Sequence, residues 1–323
     1  MRAVVVEQTG GPEALIVKEV DPPAPGSGEV LVDVTASGVN FIDTYQREGI
    51  YPKPLPFVVG SEGAGTVAQV GAGVEDVSVG DVVAWAMVDG GGYAEQVVVP
   101  AARVVPVPEG VAPEVAAALM LQGMTAHYLC ESTYPAVAGE TALVHAAAGG
   151  LGRLLTQMLA RKGVRVIGTT SSEEKAALAK GAGAAEVVRY TEVDVVEEVR
   201  RLTDGRGVDV VYDGVGRTTF DAGLDCLRAR GMMVLLGASS GPVPPLDPQV
   251  LNKKGSLFLT RPTLADYVAT REELLERGGA VLAQVAAGEL DVRIGGRYPL
   301  DEAARAHEDL EGRRTTGKLL VVP

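Results

Sequence analysis

A glycine-rich segment in the middle of the chain has the residue types and spacing of a phosphate-binding turn. The apolar segment LVHAA (143–147) runs into Ala147-Ala148-Gly149-Gly150-Leu151-Gly152, and the amphipathic segment LGRLLTQMLARKG (151–163) follows. Aligned to G-x-G-x-x-G, the first position is alanine and the other two are Gly149 and Gly152. Glycine lets the backbone approach a pyrophosphate, and the amides at the start of the next helix attract the anion. With a strand before it, a helix after it and a second strand at the right distance, the segment predicts a dinucleotide site.

The end of the second apolar segment indicates which dinucleotide is bound. An NAD site usually has Asp or Glu there, which accepts hydrogen bonds from the ribose hydroxyls. This chain has Thr170, Ser171 and Ser172, with Lys175 shortly after. Hydroxyls and a cation can bind a 2′-phosphate that a carboxylate would repel, so we expect NADPH. Ser171 is also explained as a helix N-cap in a capping box with Glu174, with Lys175 solvated, and both explanations can hold at once.

Two patterns of apolar segments divide the chain and predict an α/β protein. Over residues 1–122, short apolar runs are broken by Gly and Pro, which predicts a largely antiparallel, barrel-like domain. Over residues 123–263, apolar strands alternate with helical stretches, which predicts βαβ units and a doubly wound parallel sheet. Residues 264–323 hold two helical stretches and a closing strand, and we expect them to return to the first domain. The active site would then lie in the cleft between the domains.

Composition and charge narrow the class of function. The chain has 323 residues, of which 46% are hydrophobic, enough to bury a sizeable core in two domains. Its net charge of -13 opposes binding to nucleic acid or to an anionic membrane, so small molecules are the expected partners. The N-terminal apolar run is too short for a signal peptide, which predicts a cytoplasmic protein. Cys130 and Cys226 lie in apolar, helix-like contexts and are expected to be buried.

Segments spread over nearly the whole chain resemble the zinc-independent quinone oxidoreductases of the medium-chain dehydrogenase/reductase superfamily. They are ASGVNFIDTYQREGIYP (36–52), GSEGAGTVAQVG (60–71), GDVVAW (80–85), LMLQGMTAHYL (119–129), HAAAGGLG (145–152), YDGVG (212–216), GASSG (237–241), TRP (260–262) and RRTTGK (313–318). The resemblance implies a GroES-like catalytic domain, a Rossmann domain and NADPH as the cofactor. It also implies a homodimer formed through the Rossmann domains, and the strand LFLTRP (257–262), at the expected sheet edge, is the predicted seam.

Zinc alcohol dehydrogenases also resemble this chain, but they have ligand residues that it lacks. They carry a Cys at or near the position of Asn40, a His beside the Glu where this chain has Ser61-Glu62, and a cysteine cluster where it has VDGGGY (88–93). The chain has three scattered histidines, His127, His145 and His307. We therefore expect no catalytic zinc. His145 is expected to be a packed residue within a strand.

Reduction of a quinone makes modest demands on a protein, because the quinone is already electrophilic. It needs a dry, flat slot beside the nicotinamide with one or two hydrogen-bond donors near the carbonyl oxygens. By resemblance, Asn40 and Tyr45 lie near the nicotinamide and the substrate, and Tyr51 lies on the pocket wall. The alternative is that these tyrosines only pack. We expect Asn40, Tyr45 and Tyr51 to carry the catalytic role.

The resemblance also assigns residues to the cofactor. Along the phosphates it places Thr125, Gly149, Gly150, Leu151 and Gly152. At the adenosine phosphate end it places Lys175 and Tyr190, beside Thr170 and Ser171. Near the ribose and nicotinamide it places Gly214, Val215, Leu236, Ala238 and Ser239, and it directs three cations toward the cofactor, Arg261, Arg313 and Lys318. Close relatives often have Ser at position 214 and Asn at position 238, so those two contacts would here involve only the backbone.

Three functions are open at this point. The leading one is transfer of a hydride or electrons from NADPH to a quinone without a metal. The second is NADPH-dependent reduction of the conjugated double bond of an enone or alkenal, since relatives with the same two domains do this. The third is a non-enzymatic NADPH-binding protein with a structural or RNA-binding role, and the acidic charge and the retained pocket residues oppose it.

Overall fold

The computed structural model describes residues 1–89, 91–313 and 315–323, and the chain folds into two compact units. The first unit comprises Met1–Met124 and Tyr267–Pro323, and the second comprises Thr125–Asp266. Both boundaries fall inside helices, a few residues beyond the changes of pattern in the sequence. Within these described ranges, no helix combines the length and the apolar character needed to cross a lipid bilayer.

The first unit is built mainly from short strands, as its broken apolar runs predict. Its elements up to the first boundary are β1 (Arg2–Val6), β2 (Ile16–Glu19), β3 (Glu29–Val39), α1 (Phe41–Glu48), β4 (Phe57–Val58), β5 (Glu62–Val70), β6 (Val82–Ala86), β7 (Gln96–Pro100), β8 (Val104–Pro106) and α2 (Pro113–Tyr128). The core of this unit is rich in β-branched side chains, with fully buried valines on β3, β6 and β7 packed around Trp85. Such residues fit the pleated surface of a sheet.

Strands and helices alternate in the second unit. They are β9 (Thr141–Val144), α3 (Gly150–Arg161), β10 (Arg165–Thr170), α4 (Glu173–Gly181), β11 (Glu186–Arg189), α5 (Val195–Leu202), β12 (Val208–Asp213), α6 (Phe220–Cys226), β13 (Leu227–Leu235), α7 (Gln249–Lys253), β14 (Phe258–Thr260) and α8 (Leu264–Tyr267). The strands form one parallel sheet in the order β11-β10-β9-β12-β13-β14. The predicted doubly wound parallel sheet is therefore confirmed, and in this order ligands bind outside the carboxyl ends of the strands.

The parallel sheet is buried, which explains why its strands are nearly continuous apolar runs. Leu143, Ile167, Val211 and Met233 are fully buried members of its core. Every residue of β12 is buried, including the aspartate at its carboxyl end. A carboxylate in that position needs hydrogen-bond donors, and the N–H groups of Val215 and Gly216 in the following loop supply them.

After α8 the chain returns to the first unit with α9 (Arg271–Ala286), β15 (Ile294–Pro299), α10 (Ala303–Glu311) and β16 (Lys318–Val322). Strand β16 pairs antiparallel with β3, so that Leu319 lies opposite Val39. This register brings Lys318, at the start of β16, beside the residue that follows β3.

The barrel-like domain predicted from the sequence is an open, largely antiparallel sheet. Its strand order is β15-β16-β3-β5-β6-β8, with β7 also on β3, and a separate sheet has the order β2-β1-β4. Strand β3 is 11 residues long and divides one edge between β7, over residues 29–33, and β16, over residues 37–39. Across the described chain no ladder joins the end strands β15 and β8, so the sheet does not close.

Candidate functional site

The glycine-rich turn links β9 to α3. Ala146 adopts a left-handed backbone with φ 54°, and Gly149 is the N-cap of the helix. A Cβ atom on Gly152 would lie 2.3 Å from the Ala146 carbonyl oxygen, so only glycine fits there. A Cβ on Gly149 would meet that same oxygen, at 3.2 Å, and nothing else within 4 Å. No side chain caps this helix, which suits its first turn to binding an anion.

At the end of β10, the three hydroxyl residues have different environments. Thr170 is buried and its hydroxyl donates to the Ser172 carbonyl oxygen. Ser172 caps α4, because its Oγ accepts the Lys175 N–H at 3.3 Å. The N-cap predicted at Ser171 is therefore wrong by one residue: Ser172 has the extended backbone and the hydroxyl three positions before that amide. Ser171 is half-buried, and its carbonyl accepts from the Thr191 hydroxyl.

A cation that the sequence analysis missed lies beside Thr170. Arg189 ends β11 and is the parallel-register partner of Thr170 on β10. Its guanidinium pairs with Glu173 at 3.1 Å and with Glu192 at 2.7 Å, and its side chain is 36% exposed. Tyr190 follows directly, is 46% exposed, and donates its N–H to the Thr170 carbonyl. The signal in the sequence was an arginine at the end of the third strand, next to a tyrosine already selected.

Two further loops are brought together at the same edge of the sheet. The Ser239 N–H donates to the Gly214 carbonyl, and a Cβ on Gly237 would lie 2.5 Å from that carbonyl oxygen. Asp213 holds the first loop, since its buried carboxylate accepts the N–H groups of Val215 at 2.7 Å and Gly216 at 3.1 Å. Sequence analysis missed Asp213, although it lies inside the quoted motif YDGVG.

Most of the sequence-predicted cofactor residues of the second unit follow the carboxyl ends of its strands. The turn after β9 holds Gly149 to Gly152, and β10 ends at Thr170. Tyr190 follows β11, Gly214 and Val215 follow β12, Leu236, Ala238 and Ser239 follow β13, and Arg261 follows β14. Thr125 lies apart from this edge in the sequence, buried on α2. The doubly wound topology thus gathers residues from six strands at one edge.

In the first unit, Asn40 is held by a buried ion pair. Its Nδ2 donates to Glu62 at 2.7 Å and to the Gly38 carbonyl at 3.2 Å, and its Oδ1 accepts from the Lys318 ammonium at 2.6 Å. Glu62 and Lys318 are ion-paired and are 0% and 2% exposed, and the second Glu62 oxygen accepts the Leu121 N–H. Both amide hydrogens of Asn40 are therefore used, so its side chain has no donor left for a ligand.

Tyr45 and Tyr51 form an aromatic pair. Their ring centroids are 5.3 Å apart with an interplanar angle of 69°, and the Phe41 ring lies 6.2 Å from that of Tyr45. The Tyr51 N–H donates to the Tyr45 carbonyl, which closes the loop after α1. Tyr51 is 41% exposed and Tyr45 is half-buried. The two predicted substrate tyrosines are thus neighbours.

Asp43 lies on α1 and is fully buried. Its carboxylate accepts the Ser61 hydroxyl at 2.6 Å, the Asn40 N–H at 2.8 Å and the Tyr93 hydroxyl at 3.3 Å. Burial raises the pKa of Asp43 to about 6, while the hydrogen bonds from Ser61 and Asn40 and the charge of Lys318 act to lower it. The carboxylate therefore titrates closer to neutral pH than an exposed aspartate.

The remaining selected residues lie elsewhere. Arg313 is exposed in the turn after α10, with a left-handed φ of 53°. His145 lies just beyond β9 rather than within it, is buried, and contacts the Thr169 hydroxyl at 3.0 Å. Desolvation lowers its pKa, as for a neutral packed imidazole. Cys130 and Cys226 are buried free thiols. In the part of the chain that the structure describes, no group of three or more His, Cys, Asp or Glu side chains is arranged so that it could hold a metal ion.

Comparison with known proteins agrees with this architecture. Residues 26–109 match the family described as "Alcohol dehydrogenase GroES-like domain", and residues 150–274 match "Zinc-binding dehydrogenase". A quinone oxidoreductase of Pseudomonas aeruginosa is 46% identical over 97% of each chain. Two solved structures, each covering all of both chains, are also similar: a mycobacterial protein complexed with NADPH (50% identity, TM-score 0.97) and the Escherichia coli quinone oxidoreductase complexed with NADPH (42% identity, TM-score 0.98). The chain therefore belongs to the quinone oxidoreductase family of the medium-chain dehydrogenases/reductases.

Proposed function

We propose that this chain is an NADPH-dependent quinone oxidoreductase, with the second unit as its cofactor-binding domain and the first as its catalytic domain. The observation that carries the proposal is the carboxyl edge of the parallel sheet, where glycine turns, hydroxyls and a cation stand in a chain 46% identical to a quinone oxidoreductase. NADPH supplies a hydride when it is bound. The residues of the chain then have to hold the cofactor, orient the acceptor and stabilise the charge that develops on it.

The glycine turn fits a pyrophosphate. Gly152 is required by packing against Ala146, and a Cβ on Gly149 would make one tight contact, at 3.2 Å from the Ala146 carbonyl oxygen. The absence of a side chain at Gly149 also leaves the backbone open to the close approach of a ligand. We infer that Gly149, Gly150, Leu151 and Gly152 hold the diphosphate through the amides that begin α3. Thr125 is the proposed side-chain contact to the same phosphates.

The end of β10 fits a 2′-phosphate better than a free ribose hydroxyl. Thr170 and Ser171 stand where an NAD site usually has a carboxylate, and Lys175 and Tyr190 complete the proposed subsite. Arg189, in register with Thr170, adds a guanidinium that can bind phosphate in bidentate fashion.

The loops after β12 and β13 are the proposed ribose and nicotinamide contacts. They comprise Gly214, Val215, Leu236, Ala238 and Ser239, and the carboxylate of Asp213 fixes the first loop. Arg261 and Arg313 are proposed phosphate contacts. Lys318 was expected to be a third, but its ammonium is buried against Glu62 and Asn40, so the geometry favours an indirect role through Asn40.

On the acceptor side, Asn40, Tyr45 and Tyr51 are the proposed catalytic residues. Tyr45 and Tyr51 offer two flat rings for a planar acceptor, and each hydroxyl is a potential donor to a reduced quinone oxygen. Asn40 is restricted to accepting a hydrogen bond at Oδ1, since its amide hydrogens are already used. We therefore assign it to orienting a donor group of the cofactor.

The proposed assembly is a homodimer formed through the second unit. Strand β14 is the edge of the parallel sheet, and its Phe258 side chain is 56% exposed. An exposed edge strand with an aromatic side chain invites pairing with another copy. Light scattering that returned a monomer at micromolar concentration would contradict this. We propose a cytoplasmic location, because the NADPH pool that such an enzyme draws on is intracellular; cell fractionation tests it.

The function is tested by mixing the purified protein with NADPH or NADH and following the loss of reduced-nucleotide absorbance. The acceptors are 1,4-benzoquinone, 9,10-phenanthrenequinone and a simple alkenal. We expect rapid NADPH oxidation with the quinones and much slower oxidation of NADH. Turnover with the alkenal alone would transfer the activity to conjugated double bonds, and tight NADPH binding without turnover would favour a non-enzymatic role.

A further inference from the structure

A series of buried polar side chains within the first unit begins at Arg47 on α1, passes through His307 on α10 and returns to α1 at Asp43. The Arg47 guanidinium lies 3.1 Å from His307 Nδ1, His307 Nε2 lies 3.2 Å from the Tyr93 hydroxyl, and that hydroxyl lies 3.3 Å from Asp43 Oδ2. All four side chains are at most 1% exposed. Side chains that form no part of the proposed substrate or cofactor contacts thus lead directly to α1, the helix that Asn40 precedes and that carries Tyr45.

The direction of each hydrogen bond follows from the chemistry of Arg47. A guanidinium only donates, so His307 Nδ1 must accept and the proton of the neutral imidazole must lie on Nε2. Nε2–H then donates to the Tyr93 oxygen, which leaves the Tyr93 O–H to donate to Asp43. Burial, reinforced by the positive charge of Arg47, lowers the pKa of His307 to about 3, which keeps the imidazole neutral. Burial and the Asp43 charge raise the pKa of Tyr93, which keeps its proton in place.

This series of hydrogen-bonded side chains does not conduct protons from solvent. Its outer end is Arg47, whose guanidinium can only donate hydrogen bonds and is held by Glu48 and Glu311, each at 2.8 Å. What the chain delivers is a donor, pointed at one oxygen of Asp43. A directed donor suits a positioning role rather than proton transfer.

Asp43 connects the Tyr93 hydroxyl to Asn40 and Ser61, because its carboxylate accepts hydrogen bonds from all three residues. Its two oxygens accept the Asn40 N–H and the Ser61 hydroxyl, so the ionised carboxylate links the residue before α1 to the residue before β5. The charged or titratable groups that face it are Lys318 on β16, Glu62 on β5 and Tyr93 before β7. Protonation of Asp43 would make one of its oxygens a donor, and one of the groups that now donate to it (the Asn40 N–H, the Ser61 hydroxyl or the Tyr93 hydroxyl) would lose its acceptor.

We propose that His307, acting through Tyr93, is a positioning residue for hydride transfer: the pair holds the Asp43 carboxylate in the state and orientation that fix Asn40. This inference rests on the proposed function. It assigns a role in the reaction to α10, a helix in the return segment of the chain.

The test compares Tyr93→Phe with wild type in steady-state kinetics with NADPH and 1,4-benzoquinone from pH 5 to pH 9. Phenylalanine keeps the ring and removes the donor to Asp43, so we expect the acid limb of kcat to move up by roughly one pH unit. On that limb kcat then falls about tenfold, while the KM for NADPH changes much less, because the proposed phosphate contacts in the second unit are untouched. His307→Gln retains one donor and one acceptor and should keep the wild-type pH profile of kcat. His307→Leu removes both groups and should shift the acid limb as Tyr93→Phe does.

The matched control is Tyr298→Phe, which removes another buried tyrosine hydroxyl of the same unit. Tyr298 donates to Asp309 on α10 at 2.8 Å, without touching Asp43. Its pH profile should match that of wild type even if its stability falls. Equal shifts in Tyr93→Phe and Tyr298→Phe, or no shift in Tyr93→Phe, would overturn the positioning role while leaving the proposed function intact. Absence of wild-type turnover at every pH would instead overturn the proposed function.

An independent readout uses the unliganded protein. The pKa of Asp43, followed by carboxyl-carbon NMR with Asp43→Asn to assign the signal, should rise in Tyr93→Phe and stay unchanged in Tyr298→Phe. An Asp43 pKa that is the same in Tyr93→Phe and wild type would show that the hydroxyl does not stabilise the carboxylate, and it would overturn the proposal without recourse to activity.

Discussion

The Lys318 ammonium donates to Asn40 Oδ1 over 2.6 Å, although the two residues lie near opposite ends of the chain. The antiparallel pairing of β16 with β3 brings them together, and Glu62 completes the group. A Cβ on Gly38 would lie 2.2 Å from a Glu62 oxygen and 2.6 Å from Lys318 Cε, so glycine at that position makes room for the pair. The return segment is therefore part of the candidate site.

Lys318→Met should destabilise the protein strongly. The substitution leaves the fully buried Glu62 carboxylate without its cation, and loss of one partner of a buried ion pair costs about 3–5 kcal/mol. Urea unfolding at pH 7 measures the change in the free energy of unfolding. The double variant Glu62→Gln/Lys318→Met should recover part of the loss, and equal losses in the single and double variants would contradict this account.

Arg189→Gln should raise the KM for NADPH roughly tenfold, because one charged contact to the 2′-phosphate is lost, and should leave the KM for NADH unchanged. Glu173→Gln should lower the KM for NADPH, by less than about fivefold, because Glu173 competes with the phosphate for the Arg189 guanidinium through an exposed ion pair.

Arg165→Gln is the matched control for Arg189→Gln. Arg165 begins β10 and pairs with Glu186 at the start of β11, at the amino edge of the same two strands. Its loss should leave both KM values as they are. If the KM for NADPH rose equally in the two arginine variants, the cause would be the general loss of positive charge that attracts the phosphate, and not the loss of a local contact to it.

Gly152→Ala should displace the nucleotide turn. The added methyl group would lie 2.3 Å from the Ala146 carbonyl oxygen, and this backbone atom can move only if the turn moves. We expect NADPH affinity, followed by fluorescence titration, to fall at least tenfold. Gly181→Ala on α4 is the control, since nothing lies within 4 Å of its Cβ; it should be neutral or stabilising by up to about 1 kcal/mol.

His307 should make the stability of the wild type depend on pH. Its pKa falls from 6.5 in the unfolded chain to about 3 in the folded protein, so the unfolded state binds the extra proton in between. The stability contributed by the neutral imidazole is complete above about pH 6.5 and is lost as the pH falls toward 3, by at most about 1.4 kcal/mol per pH unit.

His307→Gln does not titrate in this range and should therefore lose less stability on acidification than wild type. Free energies of unfolding from urea titrations at several pH values between 4 and 7 measure the difference. Asp43 acts in the opposite sense between about pH 3.8 and 6, because its folded pKa is raised, but it is present in both proteins and cancels in the comparison. Parallel curves for the two proteins would contradict a buried neutral His307.

Features of the candidate site that depend on local sequence could be predicted in advance. The turn at Gly149 to Gly152, the helix after it and Thr170 at the end of the next strand are each specified within a few residues by periodicity and by glycine. The error at the N-cap of α4 arose within the same window. Ser171 and Ser172 are adjacent residues of the same type, and only the backbone geometry selects the second.

The sequence by itself determined the α/β class, the parallel sheet and the nucleotide turn, because strands, helices and tight turns follow from short-range patterns of apolar and small residues. The tertiary structure alone decided that Lys318 is buried against Asn40 rather than exposed, that His307 leads through Tyr93 to Asp43, and that Arg189 stands beside Thr170. These pairings depend on strand register and on which charges share a desolvated space. Both are set by contacts between residues far apart in the chain, and they leave no local pattern in the sequence.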